Sequence, residues 1–186
     1  MDESDLVRRG QAGDEGAFRA LVEEHRKVLF GTAFLMTRDH GLAEDAVQEA
    51  LIAMWRHLPS FRAEGSFKAW GTRIVVNEVK QQWRKKRAPV APLEEAEEIG
   101  GDPDEAELPA FHREEHARMK EALETLPVEQ KETVVLRYYA DLPLAEIAKA
   151  MGCREGTVKS RLNRALGRLA VILGESERQR RVAQEG

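Results

Sequence analysis

LPLAEIAKAMGCREGTVKSRLNRALGRL, residues 142–169, decides how this chain is read. Leu144, Ile147, Ala148 and Met151 recur at three, four and seven residues, which makes one apolar face of a short helix. Gly152 follows where such a helix ends and the chain must turn. A second periodic run opens near Glu155 and places Val158, Leu162, Ala165, Leu166, Leu169, Ile172 and Leu173 on a single stripe. At about 100° per residue, Gly156, Ser160, Asn163 and Arg164 fall opposite that stripe, with Lys159 and Arg161 on its flanks. Two helices joined by a tight turn, the second with a small, polar and basic outer face, predict a helix-turn-helix that enters a DNA major groove. The competing reading is a two-helix hairpin with a solvated basic face.

Working outward, charge divides the chain into segments. The net charge is −4, which looks wrong for a DNA binder until its distribution is examined. Residues 88–111 carry Glu94, Glu95, Glu97, Glu98, Asp102, Asp104, Glu105 and Glu107 with no Lys or Arg among them. Four prolines (Pro89, Pro92, Pro103 and Pro109) and the Gly100–Gly101 pair oppose a continuous helix there, so this stretch reads as a flexible acidic linker. The expected organisation is a first domain over 1–88, the linker over 89–112, a second domain over 113–175 and a fraying tail over 176–186. No strand-like alternation of useful length and no internal repeat is present. The expected fold class is all-α, with two small helical domains.

At 186 residues each half is large enough to bury its own core. A charged fraction of 33% with 6% aromatics suits a soluble helical protein. No apolar run approaches the roughly 18–20 residues that span a bilayer, and the N-terminal residues have no signal-peptide pattern. Cys153 is the sole cysteine, so an internal disulfide is excluded and a cytoplasmic location is expected.

In the first segment, Asp14 is an N-cap candidate for a long helix carrying Phe18, Leu21, Val22, His25, Val28, Leu29, Ala33 and Phe34. Another helix begins near Gly41, with Val47, Leu51, Met54 and Leu58 expected as its buried stripe. Asp45, Gln48, Glu49, Ile52 and Arg56 then face outward, and Trp55 lies at the edge. An isoleucine among carboxylates suits docking to a basic partner, although an ordinary solvated face with one stray apolar residue fits the pattern as well. In the next helix Arg73, Asn77, Lys80, Arg84 and Arg87 form one polar stripe, while Phe67, Trp70 and Ile74 point elsewhere, toward the core. Phe61 and Arg62 precede it beside Gly65. Cations interleaved with aromatics suit single-stranded nucleic acid, where charges meet phosphates and rings stack on bases.

Taken together, these segments resemble a bacterial sigma factor of the extracytoplasmic-function (ECF) group, in the sigma-70 family. The resemblance runs from GDEGAFRALVEEH through AEDAVQEALIAMW and FKAWGTRIVVNEVKQQWRKKR to LPVEQKETVVLRYYADLPLAEIA and GTVKSRLNRALGRL. It implies two helical domains, regions 2 and 4, and an alternative sigma factor that directs core RNA polymerase to promoters. It implies that Asp45, Gln48, Glu49, Ile52 and Trp55 meet the clamp helices of the β′ subunit, with the β subunit as a further contact. Phe61, Arg62, Arg73, Asn77, Lys80, Gln81, Arg84 and Arg87 are implied in reading and melting the −10 element, the Phe61–Gly65 loop capturing a flipped base. The implied −35 set is Arg154, Glu155, Gly156, Thr157, Lys159, Ser160, Arg161, Asn163 and Arg164. Within it Glu155, Lys159, Ser160 and Asn163 lie nearest the bases, Gly156 permits close backbone approach, and Thr157, Arg161 and Arg164 hold phosphates. An anti-sigma factor is an implied partner, and the acidic linker resembles the connector that threads the polymerase's RNA path. Two positions depart from the usual pattern: Gly71 where a leucine is common after the tryptophan, and Gln81 where aspartate is frequent.

Other chemistry fits less well. His112 and His116 match the H-x-x-E-H spacing of one zinc-peptidase class, yet no third ligand follows, and a solvated first helical turn explains them. Cys153 beside Arg154 near a helix start could favour a thiolate, but a small residue packed in the turn also suits the position. No nucleophile motif or phosphate-cradling loop is present, so no catalytic residue, metal or cofactor is expected and the polymerase would do the chemistry. Two rival classes stay open: a free-standing operator-binding regulator, and a sigma-like decoy that binds polymerase without opening promoters.

Overall fold

A computed structural model describes residues 2–62, 65–87 and 110–184, with side chains up to Lys85 in the first part and from Glu114 to Gly174 in the last. The expected linker, apart from the helical residues that close it, and the side chains of Arg87 and His112 lie outside the described residues. All regular structure among the described residues is helical: α1 Glu3–Gln11, α2 Glu15–Thr37, α3 His40–His57, α4 Phe67–Arg87, α5 Ala110–Glu124, α6 Val128–Val134, α7 Leu144–Met151 and α8 Glu155–Gln184. A 3₁₀ turn, Leu58–Ser60, follows α3, and a π-type turn, Val135–Tyr139, extends α6. The chain divides into two compact units, built in the main from α1–α4 and from α5–α8, with the short stretch Tyr139–Leu142 grouped with the first.

Local chemistry sets the helix boundaries of the first unit. Asp14 accepts a hydrogen bond from the Ala17 amide at 3.0 Å and caps α2, as its sequence position predicts. Asp39 does the same for α3 through the Leu42 amide at 2.9 Å. Ser66 caps α4 through the Ala69 amide at 3.1 Å. Helix α1, which periodicity does not single out, has Glu3 and Asp5 in its first turn and Arg8 and Arg9 in its last, complementing the helix dipole. It buries Leu6, Val7 and Gly10.

Helix α3 packs against both α2 and α4, and here the structure corrects the expected core face. The buried stripe is Ala43, Ala46, Ala50 and Met54; Leu58 is buried in the following turn, while Val47 and Leu51 are only half-buried. The physical reason is size. Three alanines let neighbouring helices approach closely, and large residues at the edge of the seam cover it. Around this seam Leu21, Leu29, Met36, Phe67, Val75, Val76 and Val79 are almost wholly buried.

In the second unit, α6 and α7 both pack on α8. Ile147, Val158, Leu162, Ala165 and Leu169 form its buried seam, as the period predicts. Leu166 does not belong to it, being 40% exposed. Gly152 adopts the left-handed conformation, φ 62°, and the Cys153 amide reaches back to the Ala148 carbonyl at 3.0 Å to close α7. The tail expected to fray from 176 is instead helix to Gln184, and it contains no Gly or Pro before Gly186 that would stop one. Helix α5 begins at Ala110, three residues before the expected start of the second domain at 113. Among the described residues, no helix is long and apolar enough to cross a membrane, and no group of three His, Cys, Asp or Glu side chains could hold a metal.

Candidate nucleic-acid and polymerase interfaces

With Ala43, Ala46, Ala50 and Met54 turned inward, α3 must present Asp45, Gln48, Glu49 and Ile52 to solvent, and all four are exposed. Ile52 is 42% exposed, an apolar residue set among carboxylates. Trp55 is half-buried at the edge of this face, its ring centroid 5.1 Å from that of Phe18.

The second surface lies on α4. Asn77, Lys80, Gln81, Trp83 and Arg84 line an open groove of about 540 Å³. Three members of the expected polar stripe therefore share one surface. Arg73 is half-buried and is not among the groove's lining residues. Gln81 donates to the Glu78 carboxylate at 3.0 Å, which holds its amide on the helix. Periodicity assigned Trp83 nothing; the signal available was an aromatic placed between Lys80 and Arg84.

Phe61 stands at the N-terminal end of α4 inside an aromatic cluster. Its ring lies 4.9 Å from Trp70 and 6.4 Å from Phe67, and Phe67 in turn lies 5.8 Å from the His25 ring. Gln11 donates to the Phe61 carbonyl at 2.7 Å and to the Leu58 carbonyl at 3.2 Å, fixing the turn that leads to it. Arg62, the next residue, is exposed. Phe61 is thus held by packing, while Arg62 beside it presents a cation to solvent.

The third surface is the start of α8. Arg154, Glu155, Gly156, Lys159, Asn163 and Arg164 are exposed, while Thr157, Ser160 and Arg161 are half-buried. The Arg154 carbonyl accepts from the Thr157 and Val158 amides at 2.9 and 3.2 Å, fixing the first turn. Ser160 donates to the Thr157 carbonyl at 3.0 Å and accepts from Arg164 at 3.3 Å, so its hydroxyl is partly engaged within the helix. Arg161 reaches back to the Cys153 sulfur at 3.9 Å, joining α8 to the turn before it. A Cβ on Gly156 would meet no protein atom within 4 Å. Neither packing nor a positive φ calls for glycine at that position.

Comparison with known proteins matches residues 21–88 to Sigma-70 region 2 and residues 116–169 to Sigma-70, region 4. The ECF RNA polymerase sigma factor SigM of Mycobacterium tuberculosis H37Rv is 35% identical over 92% of this chain and 85% of its own length. The chain belongs to the ECF sigma factors. The ECF RNA polymerase sigma-E factor of Escherichia coli K12 is 36% identical over 86% of this chain and 88% of its own length. Among solved structures, the sigma factor RpoE in complex with the anti-sigma factor NepR from Bartonella quintana aligns with a TM-score of 0.65 and 28% identity. That alignment covers 84% of this chain and 96% of the other. As an ECF sigma factor with regions 2 and 4, the protein is an alternative sigma factor that directs promoter-specific transcription. The acidic α3 face and the α4 groove lie in region 2, and the exposed start of α8 lies in region 4.

Proposed function

We propose that this sigma factor binds core RNA polymerase through Asp45, Gln48, Glu49, Ile52 and Trp55, and reads its promoter with α4 and α8. The polymerase's β′ clamp helices would meet the α3 face, with the β subunit as a further contact. Asn77, Lys80, Gln81 and Arg84 would follow the −10 strand, with Arg73, Arg87 and the Phe61–Arg62 loop beside them. Arg154, Glu155, Gly156, Thr157, Lys159, Ser160, Arg161, Asn163 and Arg164 would hold the −35 duplex. Glu155, Lys159 and Asn163, exposed on one side of the helix start, are best placed for base edges. Arg164 suits a phosphate. The chain itself catalyses nothing in this reading; the polymerase makes the phosphodiester bonds. The described region 2 and region 4 are joined by the acidic stretch, in keeping with a tether between two promoter readers. An anti-sigma factor is a further partner, a proposal supported by the RpoE–NepR complex.

The observation that carries this reading is the groove shared by Asn77, Lys80, Gln81 and Arg84, because a regulator that binds only duplex operator has no use for a single-strand channel. The experiment is in vitro transcription with purified core polymerase on a promoter mapped from transcript starts after overexpression. Promoter-specific transcripts that depend on this protein are expected. Duplex binding without such transcripts would transfer the chain to the operator-binding regulators, and polymerase binding without them would make it a decoy.

A further inference from the structure

The chain has three tryptophans, Trp55, Trp70 and Trp83, and two of them have evident packing roles. Trp55 lies against Phe18, and Trp70 packs between Phe61 at 4.9 Å and Phe67 at 5.5 Å. Trp83 is different. Among the described residues it has no ring partner, and its indole N–H is not one of the buried unpaired donors, so the ring is held by no aromatic neighbour and its polar edge reaches solvent. It is half-buried and lines the α4 groove together with Asn77, Lys80, Gln81 and Arg84. Residue 80 lies about one helical turn before Trp83 and residue 84 directly after it, so two cations share the groove lining with the indole. The groove's volume of about 540 Å³ falls within the roughly 300–1,000 Å³ of clefts that take small organic groups.

We propose that Trp83 is a stacking platform for one unpaired nucleobase, with Lys80 and Arg84 holding the phosphates on either side of it. The proposal rests on the reading of α4 as the helix that follows the −10 strand, and it adds a base contact where that reading supplied only polar and charged ones. Stacking on an indole tolerates any base, because every base presents a π-face. Trp83 would therefore hold the strand in the groove without selecting its sequence, leaving selection to the amides of Asn77 and Gln81. Phe61, whose ring is engaged by Trp70 and Phe67, is less free for this task than Trp83.

The test uses the full chain and two probes: a mixed-sequence single-stranded DNA 12-mer, and an abasic 12-mer with the same phosphates. The base-bearing strand is expected to quench tryptophan emission in the wild type, and the abasic strand is not. Trp83→Leu, which keeps an apolar side chain, should abolish that difference and weaken single-strand binding about fivefold or more, while Trp83→Phe keeps most of the affinity. The salt dependence of binding should be unchanged in Trp83→Leu. In Lys80→Ala with Arg84→Ala its slope should fall by about 1.4, the share of two phosphates on a single strand. Equal quenching by both strands in the wild type, or base-dependent quenching that survives Trp83→Leu, overturns the stacking proposal. An unchanged affinity and salt slope in the Lys80–Arg84 double variant overturns the strand reading of α4 itself, whichever way Trp83 behaves.

Discussion

Glu3 accepts a hydrogen bond from the backbone N–H of Phe67 at 3.2 Å, so a side chain in the first turn of α1 caps a helix that begins 64 residues later. The other carboxylate oxygen faces His25 Nε2 at 3.1 Å. Phe67 is the first residue of α4, and its amide is one of the donors that a helix start leaves unpaired. Replacing Glu3 with Ala strands that amide and removes the partner of His25. The expected loss is about 1 kcal/mol, in the range of a helix cap. In a domain of this size that corresponds to roughly 4–8 °C in Tm. Thermal unfolding followed by circular dichroism measures it, and a Tm within one degree of wild type would show that the contact does not stabilise.

Gly71 sits in α4 where that helix crosses α2 and α3. A Cβ there would lie 3.4 Å from Leu29 Cδ2 and from the Met54 thioether, which is ordinary contact. Gly71→Ala is therefore expected to raise stability by up to about 1 kcal/mol through helix propensity alone. The leucine common in the family at this position should instead destabilise, because its extra carbons must displace Leu29 and Met54, both almost wholly buried. Urea denaturation of the two variants reads the opposite signs directly. If leucine proves as stable as alanine, the crossing is looser than the contacts imply.

Asp14 is held below the ordinary carboxylate range, first by the hydrogen bond from the Ala17 amide and then by the Arg9 side chain, whose nitrogen lies 2.7 Å away. A depressed pKa in the folded state means that its contribution to stability is fully present above the unfolded value of about 3.9. That contribution is lost as pH falls through the lower folded value. Asp14→Asn should flatten this part of the acid-unfolding profile below about pH 4. The same slope in both proteins between about pH 4 and 2 would contradict it.

How much of this was legible in the sequence depends on residue size and on distance along the chain. The α7–turn–α8 unit was legible because its signals are local: period, a left-handed glycine and the next period all fall within 28 residues. The outward set Asp45, Gln48, Glu49 and Ile52 was equally legible, since any inward face near Ala46 forces it out. The inward face itself is less legible: hydrophobic periodicity weighs large residues and points to Val47 and Leu51, whereas the alanine seam is set by how closely helices approach. Glu3 on Phe67 and Gln11 on Phe61 were invisible, being side-chain contacts across 64 and 50 residues. Trp83 is illegible in sequence for a different reason: nothing local distinguishes it from Trp55 and Trp70, which pack against other aromatic rings.

On α3, reversing the charge at Asp45 and Glu49 tests the proposed polymerase face without touching the core. Both side chains are exposed, so Asp45→Arg with Glu49→Arg should leave the Tm within a few degrees of wild type. Rim charges act mainly on association rate and its salt dependence. Slower capture by core polymerase, at least about tenfold in affinity at low salt, is therefore expected, with the deficit shrinking as salt rises. Surface-immobilised core polymerase provides the measurement. Identical association kinetics for mutant and wild type would remove α3 from the interface.

Gly156 separates a binding role from a structural one more sharply than any charged residue of α8. It lies in the first turn of a helix, where glycine has no propensity advantage over alanine, the residue that helix interiors favour by roughly 0.5–1 kcal/mol. A Cβ there would meet nothing within 4 Å, so packing gives no reason to keep the glycine. Gly156→Ala should consequently match or exceed the wild type in thermal stability. If the backbone at this turn approaches the −35 duplex closely, the added methyl group must push it away. The same variant should then lose promoter binding as holoenzyme, by at least about tenfold, equivalent to the 1–3 kcal/mol of a single good base contact. Gel shift on the −35 duplex, run beside a thermal melt, gives both readings. A variant that is more stable and binds as well as wild type would place the closest approach elsewhere on α8, with Lys159 and Asn163 the next exposed residues along that face.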